Sequence, residues 1–238
     1  MKNKALLLFH GMKRSGNHAV LNWILSGGRF AFHNNVIRFG NHADGGHSYR
    51  SFAVRFLIEE FHNKVWRAPM RIVSVEDVSI TKPVFIGTPA HTMHVLLVRT
   101  PENLFASRLR KGNLCKKKAA YSHDVDNIKR TVELWKEHAR EFLGLTSYLP
   151  NSINILFDRW VAEPGYRHEI SLQLRIVPEE NLLKQVAWQG GGSSFVNDPH
   201  QVLSRSQFLE MHEREMLEYM MSDQEVQLLA RKIEEITG

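Results

Sequence analysis

The feature that most constrains this 238-residue chain is a change of pattern close to its start. Ala5-Leu6-Leu7-Leu8-Phe9 is an unbroken apolar run, and His10-Gly11 ends it. From about Gly16, Val20, Trp23 and Ile24 recur on one side of a helix that closes at Gly27-Gly28. A short apolar run without alternation is a strand buried on both faces, the kind found in parallel sheets covered by helices. The nine residues between, His10-Gly11-Met12-Lys13-Arg14-Ser15-Gly16-Asn17-His18, therefore join a buried strand to a helix N-terminus. Backbone N–H groups converge at such a junction and make an anion site, to which Lys13, Arg14 and Ser15 add charge and a hydroxyl. Gly11-x4-Gly16 matches the first part of a Walker A loop, but Asn17 and His18 stand where that loop has its Lys and its Ser or Thr. A P-loop phosphoryl-transfer enzyme would lack its key cation and its metal ligand. The other reading is a structural turn that carries two basic residues.

The rest of the chain continues the alternation. Residues 71–75, 84–86, 94–98 and 154–157 read as strands, with a short strand near 36–39 inside a Gly-, Asn- and His-rich loop over 29–50. A mixed helix covers 51–62. Thr100-Pro101 opens another, with Thr100 as N-cap and Pro101 at the first helical position. The helix over 124–143 buries Ile128, Val132, Trp135, Ala139 and Phe142, and a further one begins over 165–175. Ser222-x-x-Glu225 reads as the capping box of a C-terminal helix that buries Val226, Leu229 and Ile233. The expected architecture is one α/β domain over residues 1–238, a central parallel sheet flanked by helices.

Composition narrows the function only a little. Lys and Arg number 31 against 25 Asp and Glu, a net +6, which suits an anionic ligand without naming it. The single cysteine, Cys115, forms no internal disulfide or zinc cluster and favours a reducing compartment. The first apolar run is shorter than the about 7–15 residues of a signal-peptide core. No stretch approaches the roughly 20 residues of a membrane span. A soluble cytoplasmic protein is expected. The 13 histidines do not form HExxH or any paired Cys/His spacing; His91-x-x-His94, His33, His42 and His47 are scattered, so no metal is expected.

A second motif follows strand 94–98: Arg99-Thr100-Pro101-Glu102-Asn103-Leu104-Phe105-Ala106-Ser107. Taken with the first loop, it resembles the sulfotransferases that use 3′-phosphoadenosine 5′-phosphosulfate (PAPS). In that family a loop of the form Pro-Lys-Ser-Gly-Thr-Thr holds the 5′-phosphosulfate, and Arg-x-Pro-x5-Ser holds the 3′-phosphate. Arg14 stands at the position of the sulfate-bridging Lys, Ser15-Gly16 match, and Asn17-His18 replace the Thr-Thr pair. Arg99, Pro101 and Ser107 match the second motif. More loosely, residues 156–160 with Glu163-Pro164 resemble the family's late strand and following helix. Gly190-Gly191-Gly192-Ser193-Ser194-Phe195 resembles its late glycine-rich loop, with Gly192 and Ser193 near the nucleotide; the alternative is a flexible surface loop. The resemblance implies a P-loop-like sulfotransferase architecture, with Lys13 and Arg14 at one end of a doubly charged nucleotide and Arg99 at the other.

The implied chemistry is sulfuryl transfer to a hydroxyl or amine, with PAPS as co-substrate and no metal. A fixed cation at the leaving oxygen lowers the barrier, the role of Arg14 with Lys13 as helper. A base must take the acceptor's proton. Glu76, followed by Asp77 at the end of strand 71–75, is nominated, with His18 and His91 behind it; a solvated strand end or helix cap is the alternative. Six basic and no acidic residues lie between Arg108 and Lys118, either to screen the nucleotide, to attract an anionic acceptor such as a sulfated or uronic-acid sugar, or as a solvated lid or loop. Carbohydrate, lipid, phenol and peptide tyrosine all remain open as acceptors, and oligomeric state is unreadable. Nucleic-acid binding lacks a recognisable module. Two other readings stand beside this one: a P-loop kinase with an atypical nucleotide loop, and a non-catalytic protein that binds anions or nucleic acid.

Overall fold

The computed structural model of the chain describes residues 5–34, 69–82, 91–114, 122–180 and 205–237. Among them, five strands form one sheet: β1 (Ala5–Gly11), β2 (Phe30–His33), β3 (Met70–Glu76), β4 (Thr92–Val98) and β5 (Ser152–Leu156). Across the sheet the order is β2-β3-β1-β4-β5, and every adjacent pair is parallel. The helices are α1 (Asn17–Ser26), α2 (Pro101–Leu114), α3 (Val125–Phe142), α4 (Phe157–Ala162), α5 (Pro164–Leu174), α6 (Met211–Met221) and α7 (Gln224–Thr237), with a 3-10 turn at Arg205–Phe208. The α/β architecture expected from the alternation of strands and helices is the one the chain adopts.

The unbroken apolar run has a direct cause. β1 lies in the middle of the sheet, so both its faces are covered. Leu7 and Phe9, with Ile72, Val95, Leu97 and Ile155, pack on Val20, Trp23 and Ile24 of α1 and Ile170 of α5. Leu96 and Val98 face the other way, onto Phe105 of α2, Trp135 and Ala139 of α3, and the C-terminal pair α6 and α7. Burying a side chain of this size contributes about 1.5–3 kcal/mol, so these two layers outweigh any single polar contact in the sheet.

Several boundaries differ from the sequence reading. β2 lies at Phe30–His33, just after Gly28-Arg29 and inside the stretch read as loop. β5 starts two residues earlier than expected, at Ser152, and ends one residue earlier, at Leu156, because Phe157 already belongs to α4. Helix α5 begins at Pro164, one residue before the expected start. Ser222 is not the cap of α7: it ends α6 in helical conformation, and Asp223 accepts the N–H groups of Glu225 and Val226 instead. An N-cap needs an extended backbone that Ser222 does not have. The capping box in this region belongs to α6, between Glu210 and Glu213. The strands expected near 36–39 and 84–86 and the helix over 51–62 lie outside the described residues.

Three histidines meet on the α3 side of the sheet. His10 Nε2 and His94 Nδ1 are 3.1 Å apart with their rings stacked, and His138 of α3 is buried beside them. Burial, then His94 and His138, push His10 down to about 3. Burial also lowers His94 against the pull of Glu141. His138 is likewise lowered by burial, against Glu137, the Val78 carbonyl, Asp77 and Glu141. The folded chain thus keeps these rings neutral where an unfolded chain protonates them near pH about 6.5. Unfolding takes up protons there, so stability falls as pH drops below that value. Each such histidine contributes a slope of about 1.4 kcal/mol per pH unit. Urea unfolding of His10→Gln between pH 6.5 and 5 is expected to show a flatter pH dependence than the parent by about that slope; an unchanged slope would remove His10 from this account.

Candidate functional site

The sheet's order fixes where a ligand can sit. The connection leaving β1 runs toward β2 and β3, whereas the one leaving β4 runs toward β5 on the other side. Between two such strands a crevice opens at their carboxyl ends. Gly11, the last residue of β1, pairs with Glu76 on one side and Leu97 on the other. The loop after β1, the end of β3 and the Arg99 segment therefore share one edge.

The loop is built by its own side chains. Met12 O accepts the N–H of Ser15 at 3.1 Å, the Ser15 hydroxyl at 2.5 Å and the Asn17 amide at 3.0 Å. Ser15 and Asn17 are buried, so both turn inward and leave the backbone to face outward. Arg14 and Gly16 take left-handed conformations, φ 75° and 98°. At Gly16 glycine is required twice over: by that φ, and because a Cβ would run into the Phe157 ring.

Asp77 anchors the outer side of the loop. Its Oδ1 accepts the Lys13 N–H and Arg108 Nη1, each at 2.8 Å, and its Oδ2 lies 3.6 Å from Lys13 Nζ. Arg108 also donates to Lys13 O at 3.1 Å. Burial alone would raise the Asp77 carboxyl, but Arg108 and Lys13 outweigh it and hold the pKa below the usual value.

Two guanidinium groups meet at one hydroxyl, and a third joins them through a backbone carbonyl. Ser107 Oγ accepts from Arg14 Nε at 3.2 Å and from Arg205 Nη1 at 3.1 Å. Arg99 Nη1 donates to Arg14 O at 3.1 Å, and its guanidinium lies over the Phe157 ring, 5.1 Å from the centroid. Burial lowers Arg99 to about 10, with Asp158 opposing and Arg14 adding to the fall. Burial, then Arg99 and Arg14, lower Arg205 to about 9. All three are still cations at neutral pH. Asp158 stands 3.9 Å from Arg99 Nε and accepts the Thr100 N–H at 2.8 Å. A concentration of buried positive charge of this kind suits a ligand carrying a phosphate dianion.

The structure thus brings together Lys13, Arg14, Ser15, Gly16, Asn17, His18, Glu76, Arg99 and Ser107, each nominated from sequence. Arg14 and Arg99 are neighbours, since Arg99 donates to the Arg14 carbonyl. Glu76 accepts the Asn17 amide at 2.9 Å and lies 3.8 Å from His18 Nε2. His91 is remote: it precedes β4, and its carbonyl accepts the N–H of Leu6 at the opposite edge of the sheet. Gly192 and Ser193 lie outside the described residues, as do residues 115–118 of the basic segment. Within that segment Arg108 is bound to Asp77 and Arg110 to Glu210, so both serve the fold. Sequence reasoning missed Arg205, whose partner Ser107 is 98 residues away, and gave Asp77 and Asp158 no role in holding the cations. Among the described residues, no three His, Cys, Asp or Glu side chains are grouped to hold a metal ion, and no helix is long and apolar enough to cross a membrane.

Two substitutions test the construction of the loop. Gly16→Ala is expected to cost about 1–3 kcal/mol from the backbone alone, with the Phe157 overlap added. Asp77→Asn keeps the shape but leaves Arg108 buried beside a neutral group, and is expected to cost about 3 kcal/mol. Denaturant unfolding measures both.

No protein-family model matches this sequence, and neither does any curated protein. Solved structures do match. A sulfotransferase domain from the curacin biosynthetic pathway superposes with a TM-score of 0.51 at 13% identity, over 98% of this chain and 99% of that one. A sulfotransferase from Alicyclobacillus acidocaldarius gives 0.49 at 12% identity, over 93% of this chain and 96% of that one. The chain has the sulfotransferase fold.

Proposed function

We propose that this chain is a sulfotransferase that takes its sulfuryl group from PAPS and passes it to a hydroxyl or amine. The observation that carries the reading is the meeting of Arg14 and Arg205 at Ser107, with Arg99 on the Arg14 carbonyl, at the carboxyl end of a parallel sheet. Within it, Arg99, Arg205 and Ser107 suit the 3′-phosphate that distinguishes PAPS from other adenine nucleotides. The turn over residues 12–16, with the α1 N-terminus behind it, suits the 5′-phosphosulfate. At the leaving oxygen a cation is needed; Arg14 and Lys13 flank the loop and are always or ordinarily charged. Glu76, at the end of β3, supplies the negative charge that favours loss of the acceptor's proton. Carbohydrate, lipid and small-molecule acceptors all meet this chemistry.

The kinase reading is disfavoured by Asn17. It follows Gly16 where a Walker A lysine would stand, and its amide is bound to Met12 O and Glu76. PAP (3′-phosphoadenosine 5′-phosphate) binding is accordingly expected to be indifferent to chelators.

Titration calorimetry with PAP, 5′-AMP and Mg-ATP tests the proposal. PAP is expected to bind much more tightly than 5′-AMP, since only PAP reaches the arginine cluster. Arg205→Ala is expected to weaken PAP by roughly 10- to 100-fold, the value of a charge-assisted hydrogen bond, while leaving 5′-AMP unchanged. Equal affinity for PAP and 5′-AMP would overturn the reading, and preference for Mg-ATP would replace it with the kinase.

A further inference from the structure

His18 and Glu76 form a pair at the edge of the loop that the nucleotide site does not use. His18 Nε2 faces Glu76 Oε1 at 3.8 Å, with 26% of the His18 side chain exposed against 10% of Glu76. Glu76 is drawn inward: the same Oε1 accepts the Asn17 amide at 2.9 Å, and Asn17 is itself fastened to Met12 O. A carboxylate so engaged is poorly placed to leave its partner and meet an acceptor, whereas the histidine in front of it is half-buried and reachable. A catalytic histidine oriented by a carboxylate behind it is the arrangement that commits one ring nitrogen and leaves the other as a lone pair.

We infer that His18 is the general base and Glu76 its positioning residue. This deepens the sulfotransferase reading and rests on it. With Nε2–H turned to Glu76, Nδ1 of His18 accepts the proton of the acceptor hydroxyl. The acceptor oxygen bonds to sulfur, the bond from sulfur to the phosphate oxygen breaks, and PAP leaves with that electron pair. The 3.8 Å separation is longer than a hydrogen bond; such pairs commonly tighten only when substrate is bound.

The test uses the full chain, with water as the sulfuryl acceptor, and follows release of PAP and sulfate from PAPS. His18→Ala is expected to slow release at least about 100-fold and to flatten its rise with pH, with free imidazole restoring part of the rate. Glu76→Gln, which keeps an acceptor for Asn17, is expected to lower the rate less. PAP affinity by calorimetry is expected to stay within about twofold in both variants. Independently of turnover, nitrogen-15 spectra assigned by difference from His18→Ala are expected to show His18 as the Nε2–H tautomer in the parent. Parent-like hydrolysis with a parent-like pH profile in His18→Ala, or an Nδ1–H tautomer, would overturn the inference while PAP binding keeps the nucleotide reading intact. A parent that binds PAP yet releases no sulfate would also overturn it. Failure of the parent to bind PAP would sink the nucleotide reading and this inference together.

Discussion

Crowding Arg14 and Arg205 at Ser107, with Arg99 on the Arg14 carbonyl, is unfavourable by itself, because like charges removed from water repel and lose hydration. The downward shifts of Arg99 and Arg205 are that cost expressed as acidity. Something must hold the cations there, and packing and hydrogen bonds of the Arg99 segment do part of it. Arg99 leaves the end of a buried strand, its carbonyl is fixed by Trp135 Nε1 at 2.9 Å, and its guanidinium lies against the Phe157 ring. Asp158 sits to one side at 3.9 Å, and its tighter bond goes to the Thr100 N–H, so it tethers the segment as much as it offsets the charge.

The distribution of carboxylates makes this possible. Asp77 takes Lys13 and Arg108, and Glu76 takes Asn17, both on the β3 side of the loop. The β3 side of the turn thus carries the carboxylates of Asp77 and Glu76, while the other side carries the guanidinium groups of Arg14, Arg99 and Arg205. A ligand with a phosphate at one end and a reacting group at the other would be oriented by that asymmetry before any specific contact forms. The net charge of +6 contributes little to it, since Arg108 and Arg110, two members of the most basic stretch of sequence, are spent on ion pairs within the fold.

How much of this could be read from sequence follows from distance along the chain. β1 was legible because a central strand is apolar on both faces, and α3 because its buried residues repeat at helical spacing. The arginine and serine of the second motif were legible because they stand at fixed spacing, Arg99 just before α2 and Ser107 on it. β2 was hidden because Phe30-Ala31-Phe32-His33 is too short to show a period and lies beside two glycines. Arg205 was hidden for a different reason: nothing in its neighbourhood marks it, and its meaning comes only from Ser107 on α2, 98 residues earlier. Asp77 was read as a strand end because its partners, Lys13 and Arg108, come from two other segments.

In the sequence, Asn17-His18 stand where the sulfotransferase loop has its Thr-Thr pair. The structure gives both residues local work. Asn17 ties the loop to Glu76 and so joins the first strand's loop to the end of β3 across the β1–β3 pair. A threonine there has a methyl where Asn has its amide and would reach neither Met12 O nor Glu76 in the same way. With the amide in place, Glu76 is held inside and His18 stands in front of it. The residue that fixes the carboxylate and the residue the carboxylate faces are thus neighbours in sequence.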